Sequence, residues 1–111
     1  MINKEKLRQR FLRDPLPIRL GGLSATLGRI SSSAREAENP AIVLDLLDEA
    51  RYLIEWTAAD AEPEIAAELV QTQRLLTLWR KAWGADRNQR VLLSTQAKDW
   101  SDKTLQYSGL L

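Results

Sequence analysis

With 111 residues, 44% of them hydrophobic and 28% charged, the chain matches one globular domain and is too short for two that each bury a core. Histidine and cysteine are both absent, which excludes imidazole general bases, thiol nucleophiles, disulfides and the commonest metal ligands. The net charge of +1 falls short of the basic excess typical of nucleic-acid binders, so nucleic acid is not an expected partner.

Residues 1–13 form a short basic arm. On a helix, Leu7 and Phe11 would share one face with the cations around them. Such an arm suits an anionic membrane surface or an acidic partner protein. The simpler alternatives are a frayed terminus, or docking on the acidic middle segment of the same chain. The cations of the arm are Lys4, Lys6, Arg8, Arg10 and Arg13.

The first long helix is predicted over residues 14–38. Asp14 can cap it, while Pro15 and Pro17 fall in the first turn, where a missing N–H costs little. Apolar residues then recur every three or four positions along one face. Three glycines interrupt this helix, and each costs ~1 kcal/mol relative to alanine, which indicates a kink or the close approach of another backbone. These glycines are Gly21, Gly22 and Gly28.

Three more amphipathic helices follow, over about 40–60, 63–83 and 86–108. Asn39 and Pro40 mark the start of the first of them. Acidic residues beside Pro63 open the next, and Gly84 is predicted to supply its left-handed end. The last helix begins with a capping-box-like pair and ends on a left-handed glycine. The residues of that pair are Asp86 and Gln89, and the glycine is Gly109.

Short loops between these segments predict antiparallel neighbours. The expected fold is therefore all-α, an antiparallel up-down four-helix bundle with a short basic N-terminal arm. Because of the glycines, a three-helix core with a loosely attached first helix is the alternative. Charge is segregated along the chain, with a balance of +6 over residues 1–35, −9 over residues 36–68 and +4 over residues 69–111. Attraction between these blocks would guide register more than stability.

Four strings of the sequence resemble a small cyanobacterial protein family. They are MINKEKL (1–7), FLRDPLPIRLGGL (11–23), IEWTA (54–58) and SGLL (108–111). That family has no assigned activity, so the resemblance implies a cytosolic cyanobacterial protein but no substrate, cofactor or site residue. A cytoplasmic location is also the simplest expectation from the residues, because no apolar run matches a secretory signal or the ~20 residues of a membrane span.

The four tryptophans follow the apolar periodicity of the helices, which predicts that most of them are core residues. Trp56 and Trp83 lie nearest helix ends, so we expect them to be the most exposed. Exposed tryptophans are typical anchors of protein–protein interfaces. These two residues are therefore candidates for partner binding.

The acidic and hydroxyl residues do not indicate an enzyme. Carboxylates at helical spacing, such as Asp45 and Asp48, are expected to form solvated faces, since no histidine is present for a di-iron site and no EF-hand loop occurs. The serines at 31–33 lack an adjacent activating base. We expect no catalytic, metal or cofactor site and no small-molecule substrate.

The hypothesis that remains is a non-enzymatic protein-interaction module: an adaptor, regulator or assembly factor that binds another protein or itself. The alternative is a peripheral membrane protein whose basic arm binds anionic lipid. The residues predicted to bind the partner are Lys4, Lys6, Leu7, Arg8, Arg10, Phe11, Arg13, Trp56 and Trp83.

Overall fold

A computed structural model describes residues 3–36 and 38–110 of the protein. This part of the chain contains no strand, which confirms the all-α prediction. It holds five helices rather than four, because the basic arm is itself helical. They are α1 (Lys4–Leu12), α2 (Leu16–Glu36), α3 (Ala41–Ala58), α4 (Pro63–Ala82) and α5 (Arg87–Ser108). Residues 1, 2 and 111, and Ala37 of the predicted first long helix, lie outside the described residues.

Local capping explains where the helices begin. The Asn3 side chain accepts a hydrogen bond from the Lys6 amide (3.1 Å) and so starts α1. The α2 helix begins at Leu16, two residues later than the predicted Asp14. The Pro15 carbonyl, just before the helix, accepts a hydrogen bond from the Arg19 amide of its first turn (3.0 Å). Ahead of α3, the Asn39 side chain accepts from the Ala41 amide (3.0 Å).

The connection from α4 to α5 differs from the prediction that Gly84 would be left-handed. Ala85 takes the positive φ instead, at 60°. The Gln89 side chain accepts from the Gly84 amide (2.7 Å) and donates to the Ala82 carbonyl (2.8 Å), which closes the end of α4 without a left-handed glycine. Asp86 caps α5 as predicted, accepting from the Gln89 amide (2.9 Å), while Gly109 is left-handed with φ 71°.

The α2 helix lies at the centre of the core. Its apolar face is fully covered, and it packs against both α3 and α5. A three-helix core with a loosely attached first helix is therefore wrong. The apolar residues of α2 in the core are Leu20, Leu23, Leu27, Ile30 and Ala34.

The α2 and α5 helices approach each other through small residues and run antiparallel. Ser24 Oγ donates to the Ser101 carbonyl (2.8 Å), and Ser101 Oγ donates back to the Ser24 carbonyl (2.8 Å). Two turns away, Ser31 Oγ donates to the Ser94 carbonyl (2.8 Å). A Cβ on Gly28 would lie 3.4 Å from Ser101 Oγ. The glycine prediction is thus resolved in favour of close approach, since α2 is continuous.

The remaining contacts between long helices are uneven. Gln73 of α4 donates from its side chain to the Arg51 carbonyl of α3 (3.0 Å), and Arg80 bonds Asp48 (3.2 Å). By contrast, α4 and α5 contact each other sparsely. A groove of about 190 Å³ lies between them, with Trp100 and Tyr107 on its α5 side. None of the described helices combines the length and apolar character that crossing a bilayer requires.

Candidate functional site

The basic arm is docked on α3 through aromatic side chains. Phe11 is only 8% exposed and packs against Trp56, with ring centroids 6.2 Å apart. Tyr52 stacks on the other side of this cluster, 5.9 Å from the Trp56 centroid. The Lys4 ammonium lies 4.4 Å from the Tyr52 ring centroid, within cation–π range. Three of the predicted residues, Lys4, Phe11 and Trp56, are therefore brought together.

This docking rules out a frayed terminus and agrees with the alternative that the arm docks on the acidic middle segment of the same chain. The arm is a regular helix, and it reaches the acidic segment by ring contacts. No ion pair between described residues joins α1 to α3. Leu7 is half-buried against the core beside Phe11. The apolar face of α1 is thus turned into the protein.

Two cations of α1 and Arg13, the residue that follows the helix, line one open cleft. Lys6, Arg10 and Arg13 recur at intervals of four and three residues, which places them on one side of the helix. The cleft has a volume of about 500 Å³ and is closed on the α3 side by Glu49. Arg8 is exposed and does not line it. We call this feature, with its three cations, the basic cleft.

The cations of the basic cleft are unneutralised within the described residues. Neither Lys6, Arg10 nor Arg13 forms an ion pair there. The carboxylate that lines the cleft, that of Glu49, already accepts from Arg29 (3.1 Å) and from the hydroxyl of Thr26 (3.1 Å). The cleft therefore exposes three positively charged side chains to solvent.

The outer face of α5 shows the opposite arrangement. Lys98 pairs with Asp102 at 2.7 Å and Lys103 with Asp99 at 3.1 Å, each one turn apart. The hydrogen bond and charge of Asp99 raise the pKa of Lys103 above its ordinary value. Lys98 and Lys103 are thus matched by acids of their own helix, whereas the cations of the basic cleft have no such partner among the described residues.

Arg19 holds the helix that carries the cleft in place. It was not among the residues predicted to bind a partner. Its guanidinium is 8% exposed and donates to the carbonyls of Asp14 (3.1 Å) and Trp56 (3.1 Å). It also pairs with Asp60 at 3.0 Å. These bonds tie the linker between α1 and α2 to the end of α3. The sequence held one sign of this role, because Arg19 directly precedes Leu20 on the apolar face of α2.

Trp83 lies apart from this site. Its indole N–H donates to the Pro40 carbonyl (3.3 Å), at the start of α3, whereas Trp56 lies near the end of that helix. An 18-residue helix spans ~27 Å. Trp56, Trp79 and Trp83 are half-buried and Trp100 is 9% exposed. The expected pair of exposed tryptophans is therefore divided between opposite ends of α3.

The described residues contain no group of three acidic side chains placed to hold a metal ion. The acidic side chains near the middle of the fold serve ion pairs. Asp48 accepts from both Arg51 (3.1 Å) and Arg80 (3.2 Å), and Glu49 accepts from Arg29. Within this part of the chain, the basic cleft is the strongest candidate for a binding site.

Comparison of the chain with known protein families, curated proteins and solved structures finds no match. The resemblance to a cyanobacterial family stays a prediction.

Proposed function

We propose that the protein is a non-enzymatic interaction module, an adaptor, regulator or assembly factor of the cytoplasm, that binds an acidic segment of a partner protein in the basic cleft. The observation that carries this proposal is a set of three cations, two on α1 and one directly after it, that form no ion pair with any described residue. Arginine favours such sites because its planar guanidinium can bind a carboxylate with two parallel hydrogen bonds.

The energetics set what kind of binding is expected. An exposed ion pair contributes only ~0–1 kcal/mol, so three of them give modest affinity. Complementary charge also raises the association rate and suppresses wrong partners. Binding should therefore be fast, reversible and strongly weakened by salt, as suits regulation or assembly.

A peripheral membrane protein is the second candidate, because the same cations suit anionic headgroups. Insertion of Leu7 and Phe11 into a bilayer requires α1 to leave α3, and Phe11 is buried against Trp56. Cations alone bind such surfaces weakly without an apolar anchor. The docked position of Phe11 therefore favours a protein partner.

Affinity capture from native lysate with the wild-type protein and the R10E/R13E variant tests the proposal. We expect an acidic protein that binds the wild type at low salt and is lost from the variant. The control is K81E/R87E, which changes the net charge equally at exposed positions away from α1 and should retain the partner.

Vesicle sedimentation with the same proteins separates the two candidates. Binding to anionic vesicles that R10E/R13E abolishes, without any captured protein, would favour the membrane function. Protein capture and vesicle binding that are both equal for the wild type and R10E/R13E would contradict both uses of the cleft.

A further inference from the structure

Three exposed carboxylates lie where α3 gives way to α4. Glu55 is on the last turns of α3, while Glu62 and Glu64 flank the first residue of α4. None of them forms an ion pair with a described residue. We call these residues the acidic rim. It is the negative counterpart of the basic cleft, with three charges of each sign.

The acidic rim and the basic cleft lie at the same end of the protein. Glu55 directly precedes Trp56, whose ring packs on Phe11 of α1. The turn that leads to Glu62 contains Asp60, which pairs with Arg19 just after the α1–α2 linker. Through Arg19, the linker that begins with Arg13 is therefore joined to the turn that leads to Glu62.

We propose that a second copy of this chain occupies the basic cleft, in a closed dimer where the cleft of each copy binds the acidic rim of the other. The inference rests on the cleft of the proposed function and names its partner. Because Arg13 of the cleft and Glu62 of the rim lie on segments that Arg19 joins, one two-fold axis near this point can form both contacts at once. The net charge of +1 gives the copies little mutual repulsion to overcome.

A dimer held by exposed charges is salt-sensitive. Screening shortens the range of such contacts from about 20 Å at low salt to a few Å near 1 M. The wild type should therefore be dimeric at low ionic strength and shift to monomer in high salt. Sedimentation velocity over a range of protein concentrations measures this directly.

A charge-swap experiment tests the pairing itself. R10E/R13E and E62K/E64K are each expected to dimerise at least tenfold more weakly than the wild type, because each places like charges at both contacts. Mixed in equal amounts, the two variants should form a heterodimer, since the reversed cleft of one matches the reversed rim of the other and the native contact is kept.

The control K81E/R87E should dimerise like the wild type, and the helical circular dichroism signal verifies the fold of each variant. A wild type that is monomeric at low salt, or a mixture of variants that fails to associate, would overturn the inference. In either case, partner capture that still depends on Arg10 and Arg13 leaves the proposed function standing. If the wild type dimerises but captures no other protein through Arg10 and Arg13, a foreign partner is rejected and the second copy stands as the occupant of the cleft.

Discussion

At the scale of single residues, Arg19 shows how one buried cation can organise a surface. It is the one charged residue in the buried class among those described. Its guanidinium is paired and hydrogen-bonded, as a buried charge must be. One carbonyl that it binds belongs to the linker after α1, and the other belongs to α3, the helix on which α1 packs. The position of the basic cleft therefore depends on a residue that does not line it.

Replacing Arg19 with methionine should lower the free energy of unfolding by ~2–4 kcal/mol, since the Asp14 and Trp56 carbonyls both lose their charged donor. Little of this loss should come from the ion pair, because the Asp60 side chain is 57% exposed. Urea denaturation measures the change. The control Arg8→Met, at an exposed position, should stay within about 0.5 kcal/mol. Equal stabilities for the two variants would contradict the assigned role.

Ala85 is a second residue whose importance is conformational. A left-handed backbone costs an L-residue ~1–2 kcal/mol, and Ala85 adopts φ 60°. Ala85→Gly should therefore raise stability by ~0.5–1 kcal/mol after the greater entropy of an unfolded glycine is included. Thermal unfolding tests this. Ala67→Gly, at an exposed position in the second turn of α4, should lower stability by ~1 kcal/mol, and a similar loss for Ala85→Gly would refute the prediction.

At the scale of helices, the α2–α5 pair carries the closest packing. Two reciprocal serine bonds let the backbones approach, and Gly28 leaves room for Ser101. Buried hydroxyls that bond to carbonyls satisfy their own polar atoms at little cost. This contact gives glycine a packing role that offsets its poor helix propensity.

Gly28→Val should therefore destabilise the protein by ~2–3 kcal/mol, because its side chain would force α2 and α5 apart. Chemical denaturation gives the magnitude. The matched control is Ala25→Val, at an exposed position on the same helix, where only helix propensity changes and the loss should stay below about 1 kcal/mol. A Gly28 variant as stable as the control would mean that the two helices do not approach closely.

At the scale of the whole molecule, α1 is attached less extensively than the other helices. Its described contacts are concentrated at Phe11, Leu7 and Lys4. Elements with few buried contacts open at lower free energy than the core. The helix that carries the basic cleft is thus the one most easily released.

Phe11→Ala should release α1 while α2 to α5 stay folded. Trypsin should then cleave at the lysines and arginines of α1 at least tenfold faster, since docking no longer protects them. Mass spectrometry of the fragments measures this, with Leu12→Ala, at a residue 40% exposed on the same helix, as the control. Unchanged cleavage, or simultaneous loss of all helical signal, would contradict independent docking of α1.

Much of the fold was predictable because its signals are local. Pro63, Asp86 and Gly109 act within one turn, and the structure uses each at the expected helix end. The long helices differ from their predicted bounds by two residues or less at the ends where both are described. The left-handed Ala85 could not be foreseen, since it follows from the Gln89 side chain crossing the loop to bind Gly84 and Ala82.

The candidate site was only half predictable. The cations of the arm and its apolar pair were visible from spacing. Trp56 was predicted to bind a partner only because it lies near a helix end. That Phe11 faces Trp56, and that Trp83 lies near the other end of α3, depends on how distant segments pack.

The order of residues alone settled that the chain is helical and that it lacks imidazole and thiol chemistry, because helix signals act over a few residues and composition is independent of folding. Only the tertiary structure decided which charges are neutralised. Asp48, Glu49 and Asp60 pair with arginines from other helices. In the part of the chain that the structure describes, Lys6, Arg10 and Arg13 pair with no carboxylate. Pairing of charges is a property of distances in space, and those distances exist only once the helices have packed.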